Sequence, residues 1–169
     1  MRDENKDSLI EFVLRNAEPI AARVKEAQAE KSGRSSDGDN NTGGSRGSHI
    51  SDPTAAQALK LVEPVQFIYC PYGPVIKGRR EERYIRLPEK WLKVEKATRE
   101  FYTKDSAAEK VREIYKRRYL QGEYGERWEI TCAKLSIGHG WYYSVVHDIV
   151  RFAGLYASGL GLIAPYSRF

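Results

Sequence analysis

The chain has 169 residues, 41% of them hydrophobic and 30% charged, and carries a formal net charge of +5. That length suits one modest globular domain plus an appendage, and no apolar run approaches the ~20 residues that a membrane span needs. The acidic, polar N-terminus lacks a signal-peptide layout, so the expectation is a soluble cytoplasmic protein that makes no membrane contact; the positive charge permits a polyanionic partner without establishing one.

Residues 1–30 read as an N-terminal helical segment. Leu9, Phe12, Val13, Ala17, Ile20, Val24 and Ala27 recur at three- and four-residue steps, the period of an amphipathic helix or short coiled-coil seam. Pro19 interrupts it, because inside a helix proline removes a hydrogen bond and clashes with the preceding turn. A break near Asn16 to Pro19 follows, with Pro19 in the first turn of a second helix. Docking on the main domain and self-association both explain such a segment.

Residues 31–51 hold Gly33, Gly38, Gly43, Gly44 and Gly47 among Ser, Asp and Asn, with no aliphatic side chain before Ile50. Such a composition buries too little apolar surface to offset chain entropy and reads as a flexible linker. A helical domain is expected over 52–169. Asp52 and Pro53 suit the cap and first position of its opening helix, with Ala55, Ala58, Leu59 and Val62 as the buried face. Val65 to Cys70 is apolar enough to be buried, as strand or helix. Gly73 to Arg80 has the glycine spacing of a phosphate-binding loop but lacks the Lys and Ser/Thr that would contact phosphate and magnesium. Lys77, Arg79, Arg80, Arg83 and Arg86 make a charged segment, read as a solvated loop in preference to a DNA-backbone contact.

Pro88 opens a helix with Trp91, Val94, Thr98, Phe101 and Tyr102 on one face. Ser106 to Glu109 is a capping-box sequence that should start the next helix. There Val111, Ile114, Tyr115 and Tyr119 face inward, while Arg112, Lys116, Arg117 and Arg118 form a basic edge suited to phosphate contact, as does Arg151 further on.

The stretch from Trp128 to Arg151 reads as two helices folded about a tight turn, a helix-turn-helix at about 126–151. Trp128, Thr131, Cys132 and Leu135 set the first period; Ser136, Ile137 and Gly138 interrupt it; Tyr142, Val145, Val146 and Ile149 restart it. Cys132 is small enough for a helix crossing, and Ile137 plugs the turn. In such a pair the second helix can enter a DNA major groove, which turns His139, Gly140, Tyr143, Ser144 and His147 toward base edges. An imidazole can hydrogen-bond a base acceptor, a tyrosine can meet a thymine methyl or a phosphate, and glycine permits close backbone approach. Trp128 and Trp141 follow the helical period and are expected to pack. The apolar face continues through Phe152, Tyr156 and Leu160, so the second half of the last helix is expected to pack as well.

Cys70 and Cys132 lie in apolar contexts with no CxxC pair and no His at ligand spacing, so no metal or cofactor is expected. No His, Ser or Cys stands in a nucleophile arrangement and the carboxylates are spread along helix faces, so no catalytic centre is expected.

Three pieces in order carry a resemblance over most of the chain: Gly47-Ser-His-Ile-Ser-Asp-Pro-Thr-Ala-Ala56 after a Gly/Ser linker, Val111 to Gly122 with Arg118-Tyr119-Leu120, and Leu135-Ser-Ile-Gly-His-Gly-Trp-Tyr-Tyr143. Together they resemble the ArpU/RinA-type phage late-gene transcriptional regulators, regarded as related to the C-terminal promoter-reading domain of sigma factors. The resemblance implies a transcriptional activator of a phage or prophage in a bacterial host, acting on double-stranded DNA and contacting RNA polymerase. Where members of that family place Ser or Thr, this chain has Gly138, Gly140 and Trp141, and the Arg or Lys usual around Ser144 is missing. Its 64–87 insert is also longer and more apolar. The reading edge is therefore glycine-rich and weakly basic, which throws the electrostatic anchoring onto Arg112, Lys116, Arg117 and Arg118.

The expectation is thus a mainly α protein, a helical domain with a C-terminal helix-turn-helix and an N-terminal helical appendage on a flexible linker, that regulates transcription by binding DNA and is not an enzyme. Two other classes fit the same elements: a small terminase-like packaging or assembly protein, which forms homo-oligomers, and a helical protein-interaction module whose helix-turn-helix has degenerated.

Overall fold

The computed structural model describes residues 3–34, 64–70, 75–76, 79–80, 83–104, 107–121 and 125–165. They are mainly helical. Helix α1 (Asp3–Arg15) and helix α2 (Ala17–Arg34) are separated at Asn16. The cause is Pro19, whose ring would strike the carbonyl of Arg15 in a continuous helix. With the break at Asn16, Pro19 falls in the first turn of α2, where its missing N–H has no intrahelical partner to lose. The Asn16 side chain closes the end of α1 by donating to the Phe12 carbonyl at 2.7 Å. Helix α2 runs to Arg34, through the first four positions of the segment expected to be linker. The rest of that segment and the helix expected from Asp52 lie outside the described residues.

The two N-terminal helices are part of the core. Ile10, Phe12, Val13, Leu14, Ile20 and Val24 are all buried. Helix α1 packs on the last helix, and α2 lies on the helix that begins at Pro88 and on the first strand.

The apolar run after Pro64 resolves as a strand. Strand β1 (Phe67–Cys70) turns Ile68 and Cys70 inward and Phe67 and Tyr69 outward, and it pairs antiparallel with β4 (Arg83–Arg86), Ile68 opposite Ile85 and Tyr69 opposite Tyr84. Between them, β2 (Val75–Ile76) pairs with β3 (Arg79–Arg80). The arginines expected in a solvated loop therefore stand largely on strands. The reason is period two: Ile85 between Tyr84 and Arg86 gives β4 one buried side chain with exposed neighbours. Leu87 adopts a left-handed φ of 51° before Pro88 and donates its N–H to the Gln66 carbonyl at 2.8 Å, closing the sheet against the next helix.

Helix α3 (Pro88–Thr103) buries Trp91, Val94, Glu95, Thr98 and Tyr102. Phe101, expected on that face, is 53% exposed and stacks on Phe152 with ring centroids 4.5 Å apart. Helix α4 (Glu109–Tyr115) is continued by a π turn (Lys116–Leu120). Ala108 caps α4 without a side-chain bond, and Ser106 of the capping-box sequence lies outside the described residues. Ile114, Tyr115 and Tyr119 are buried; Val111 is only half-buried. Helix α5 (Trp128–Leu135) and helix α6 (His139–Gly159) complete the fold.

Helix α6 contacts α1, α3, α4 and α5. Its inner face comprises Tyr142, Val145, Val146, Ile149, Val150, Ala153, Gly154 and Ala157. In the second half the core-facing positions are thus Ala153 and Ala157, whereas Tyr156, expected inside, is 43% exposed. The small side chains let the neighbouring helices approach closely there. Gly161, at φ 70°, ends the helix, with its own N–H bonded to Ser158 and that of Leu162 bonded to Ala157, a left-handed C-terminal motif that glycine adopts without a Cβ penalty. No helix among the described residues is long and apolar enough to cross a membrane.

Glu95 is the charged group the core tolerates least easily. Its side chain is almost fully buried and bonds Arg99 at 3.1 Å. Burial raises its pKa above the usual carboxylate value; Arg99 opposes that and Glu18 adds to it. The folded state therefore holds this proton more tightly than the unfolded chain, and stability falls as pH rises from about 4.5 through the raised value. Glu95→Gln is expected to remove that slope and to leave the protein more stable than wild type at pH 7, measured by urea unfolding between pH 4.5 and 7.

Candidate nucleic-acid interface

Helices α5 and α6 meet across Ser136, Ile137 and Gly138. Ser136 takes a left-handed φ of 50°, donates its N–H to Ala133, and lets Ile137 donate to Cys132 at 3.1 Å. These two bonds stop α5 as glycine commonly does, but with serine in the strained position. Gly138 then returns to extended backbone and its carbonyl accepts from Tyr142 at 3.1 Å, starting α6. Thr131 and Cys132 are buried on α5, and Tyr142, Val145 and Val146 on α6, so the crossing is filled by small residues facing larger ones. Ile137 is half-buried beneath the turn.

The opposite face of α6 is open. His139, Gly140, Tyr143, Ser144, His147 and Arg151 are all exposed. At 3.6 residues per turn, Gly140, Ser144, His147 and Arg151 point within about 60° of one another, and Tyr143 lies at the margin. The structure thus brings these sequence-selected positions onto one strip. His139 is held by rings: Trp128 meets it edge-on with centroids 4.6 Å apart, and Tyr143 tilts against it, also at 4.6 Å. Trp128 packs half-buried, while Trp141, expected to pack, is 44% exposed. The strip presents imidazole donors and acceptors, two hydroxyls and a bare glycine, groups that can meet base edges.

The basic run is distributed differently from the edge expected of it. Arg118 is turned inward: it pairs with Glu11 of α1 and donates to the Tyr142 hydroxyl at 3.0 Å. Arg117 pairs with Glu113 and with Glu126, the latter at 3.2 Å. Lys116 pairs with Glu113 at 3.3 Å and stays partly exposed, and Arg112 is half-buried. Two basic side chains that the sequence reading did not single out are more open, Arg127 at 77% and Lys134 at 52% exposure. Both flank the helix pair.

Glu126 holds this region together. Its carboxylate accepts from Arg117, from Thr131 at 2.9 Å and from Lys134. Its backbone N–H bonds Arg117 at 2.7 Å. The preceding Gly125 has φ 69°, and a Cβ there would stand 2.2 Å from the Arg118 carbonyl oxygen, so only glycine fits this close approach. The hydrogen bond from Lys134 leads a set that lowers the Glu126 pKa. The sequence offered a signal for this hub, because Thr131 and Lys134 follow Glu126 at five and eight residues. No local signal marks the Glu11 to Arg118 pair, whose partners lie 107 positions apart. Among the described residues no cluster of three His, Cys, Asp or Glu side chains converges to hold a metal ion, and Cys70 and Cys132 are buried.

Arg118→Ala is expected to destabilise the fold by about 2–3 kcal/mol, because it leaves Glu11 and Tyr142 without their partner in a largely buried setting; thermal and urea unfolding read this directly. Glu126 contributes an acid-sensitive link to the helix pair. Its depressed pKa means that its stabilisation is present above about pH 4.5 and is lost as pH falls through the lower folded value. Glu126→Gln should flatten stability against pH below 4.5, followed by near-ultraviolet circular dichroism of the surrounding rings.

Comparison of the chain with protein-family models, with curated proteins and with solved structures found no match.

Proposed function

We propose that this chain is a sequence-specific DNA-binding transcriptional regulator of phage or prophage origin, an activator of late genes working in the cytoplasm of a bacterial host and contacting RNA polymerase. The observation that carries the DNA reading is the exposed strip of Gly140, Tyr143, Ser144 and His147 on a helix whose inner residues Tyr142, Val145 and Val146 are fixed in the core. A rigid helix with an open, polar N-terminal half is what major-groove reading requires. The resemblance to ArpU/RinA-type regulators supports the regulatory and phage assignments.

In this reading His139, Gly140, Tyr143, Ser144 and His147 face base edges. Arg151, Lys116 and Arg112, joined by Arg127 and Lys134, supply the backbone contacts. Arg117 and Arg118 contribute by holding the frame, since their side chains are the more buried ones, at 20% and 12% exposure.

Titration with a promoter-length duplex tests the reading. About five phosphate contacts correspond to a salt slope near −4.5, so raising salt from 50 to 200 mM should weaken binding by roughly 500-fold. Tyr143→Ala and His147→Ala should each reduce preference for the selected sequence by about 10-fold while leaving non-specific binding nearly unchanged. Absence of any binding at the lower salt concentration would end the proposal.

A further inference from the structure

The β1 and β4 pair turns an aromatic face to solvent. Phe67 stands directly opposite Arg86, and Tyr69 directly opposite Tyr84. Side chains alternate along a strand and the inward positions are Ile68, Cys70 and Ile85, so these four side chains share the outer face as a two-by-two array. Tyr84 is 77% exposed, Phe67 62% and Tyr69 40%, with Arg86 exposed beside them. The two tyrosine rings lie 5.2 Å apart. Successive outward residues on one strand stand about 6.8 Å apart. That is about twice the 3.4 Å rise of stacked bases, the spacing at which one base can lie between two rings.

Two further observations say what such a face takes. One is charge. Residues 71–86, which form β4 and the segment leading to it, hold five basic and two acidic residues, a net +3 of the chain's +5. A proline-rich peptide also fits an aromatic face, but it gains nothing from this charge, whereas a phosphate backbone does. The other is a cavity of about 220 Å³ at the edge of the array, with Tyr84 and Arg86 at its rim and Leu9, Leu87, Trp91 and Leu162 among its walls. A cavity of roughly 150 Å³ already admits benzene, so this one has room for a single pyrimidine ring.

We infer that the outer face of the β1 and β4 pair binds unpaired DNA, its bases stacking on Phe67, Tyr69 and Tyr84, one base entering the cavity, and Arg86 meeting the backbone. Exposed rings beside cationic side chains are the means by which single strands are held without sequence preference. The inward residues are buried in the core, so the platform is rigid before the strand arrives and little ordering cost remains at the rings. The surface is separate from the reading strip. The cavity lies at Leu162, beyond the C-terminal end of α6, and the middle of the reading segment is 17 to 18 residues back, about 26 Å along the helix axis. One chain can therefore engage a duplex at one end of α6 and an unpaired strand at the other. Stacking alone does not separate DNA from RNA; the choice of DNA rests on the proposed function, under which an opened duplex supplies the strand.

The test is fluorescence anisotropy with a labelled oligodeoxycytidylate of about 12 nucleotides, the corresponding RNA, a duplex and a proline-rich peptide, each at about 50 mM salt. Wild type is expected to bind the oligodeoxycytidylate. Tyr84→Ser and Phe67→Ser, at exposed positions and with unchanged thermal unfolding, should each weaken that binding by about 10-fold. Tyr84→Phe keeps the ring and should bind as wild type does. Arg86→Gln should reduce the salt slope by about 0.7, the value of one single-strand phosphate contact. Duplex binding should be unchanged in all four variants, and Tyr143→Ala should leave the oligodeoxycytidylate bound. The inference is overturned by no binding of that strand, by binding that both serine variants leave unchanged, by capture of the peptide in its place, or by preference for the RNA of about 10-fold. Each of those results leaves duplex reading intact. Binding of the single strand without the duplex would end the proposed function and keep the stacking face.

Discussion

One helix serves two surfaces at once, and everything else in the fold is arranged around that constraint. Tyr142, Val146, Ile149 and Ala153 bury the inner side of α6 against α1, α3, α4 and α5. Each large side chain among them contributes roughly 1.5–3 kcal/mol by leaving water. A helix places successive side chains about 100° apart, so fixing the inner residues fixes the direction of Gly140, Ser144 and His147 as well. Presentation of the outer strip is thus inseparable from core packing. A cavity under Tyr142 or Ile149 would rotate or loosen the strip without any change to its own residues.

Arg118 ties the two ends of the chain into this arrangement. It joins α1 through Glu11, the π turn through its own backbone, and α6 through the Tyr142 hydroxyl. A guanidinium is suited to such a junction, because its fixed fork of donors can bond two acceptors from different helices. Largely buried ion pairs add little net stability over an apolar replacement, yet they are costly to break on one side only. The junction therefore specifies where α1 sits more than it strengthens the fold. Glu126 does the same for α5, joining Arg117, Thr131 and Lys134 beside the close approach at Gly125.

Periodicity made the helices legible. Pro19 located the break between α1 and α2, and the apolar steps of α3 and α6 located most of their buried faces. Period also carried information that a run of like charges conceals: Arg118 follows Ile114 by four residues and Tyr115 by three, which puts it on the buried side with them. Grouping it with Arg112 and Lys116 as an outer edge went against that spacing. Phe101 and Tyr156 misled for the opposite reason, since an apolar side chain at the margin of a face can lie on either side of the boundary. Strand β1 was ambiguous because four residues are too few for either period to dominate, and its partner β4 lies 13 or more positions on. At the candidate interface the exposed strip was legible from the phase of Tyr142, Val145 and Val146. The ion pairs behind it depend on tertiary contacts that sequence spacing does not encode.

The glycines at the start of α6 gain a physical reading from the rings around them. Neither Gly138 nor Gly140 has a neighbour where a Cβ would stand, so nothing inside the chain excludes a side chain at either position. Glycine within a helix costs about 1 kcal/mol relative to alanine, and Gly138 provides no side-chain cap. The first turn is held from the side instead. Trp128 and Tyr143 brace His139 from the side, and Tyr143 in turn meets Tyr142 edge-on at 5.3 Å. Aromatic pairs of this geometry are worth about 0.5–1.5 kcal/mol each beyond their burial, enough to offset the glycine cost and the missing cap. The helix start is thereby stabilised by side chains behind and beside it, and its outermost backbone, at Gly140, is left bare. On the proposed reading, that bare backbone is the point at which α6 approaches its partner surface most closely, with His139 and Tyr143 already set in place on its flank.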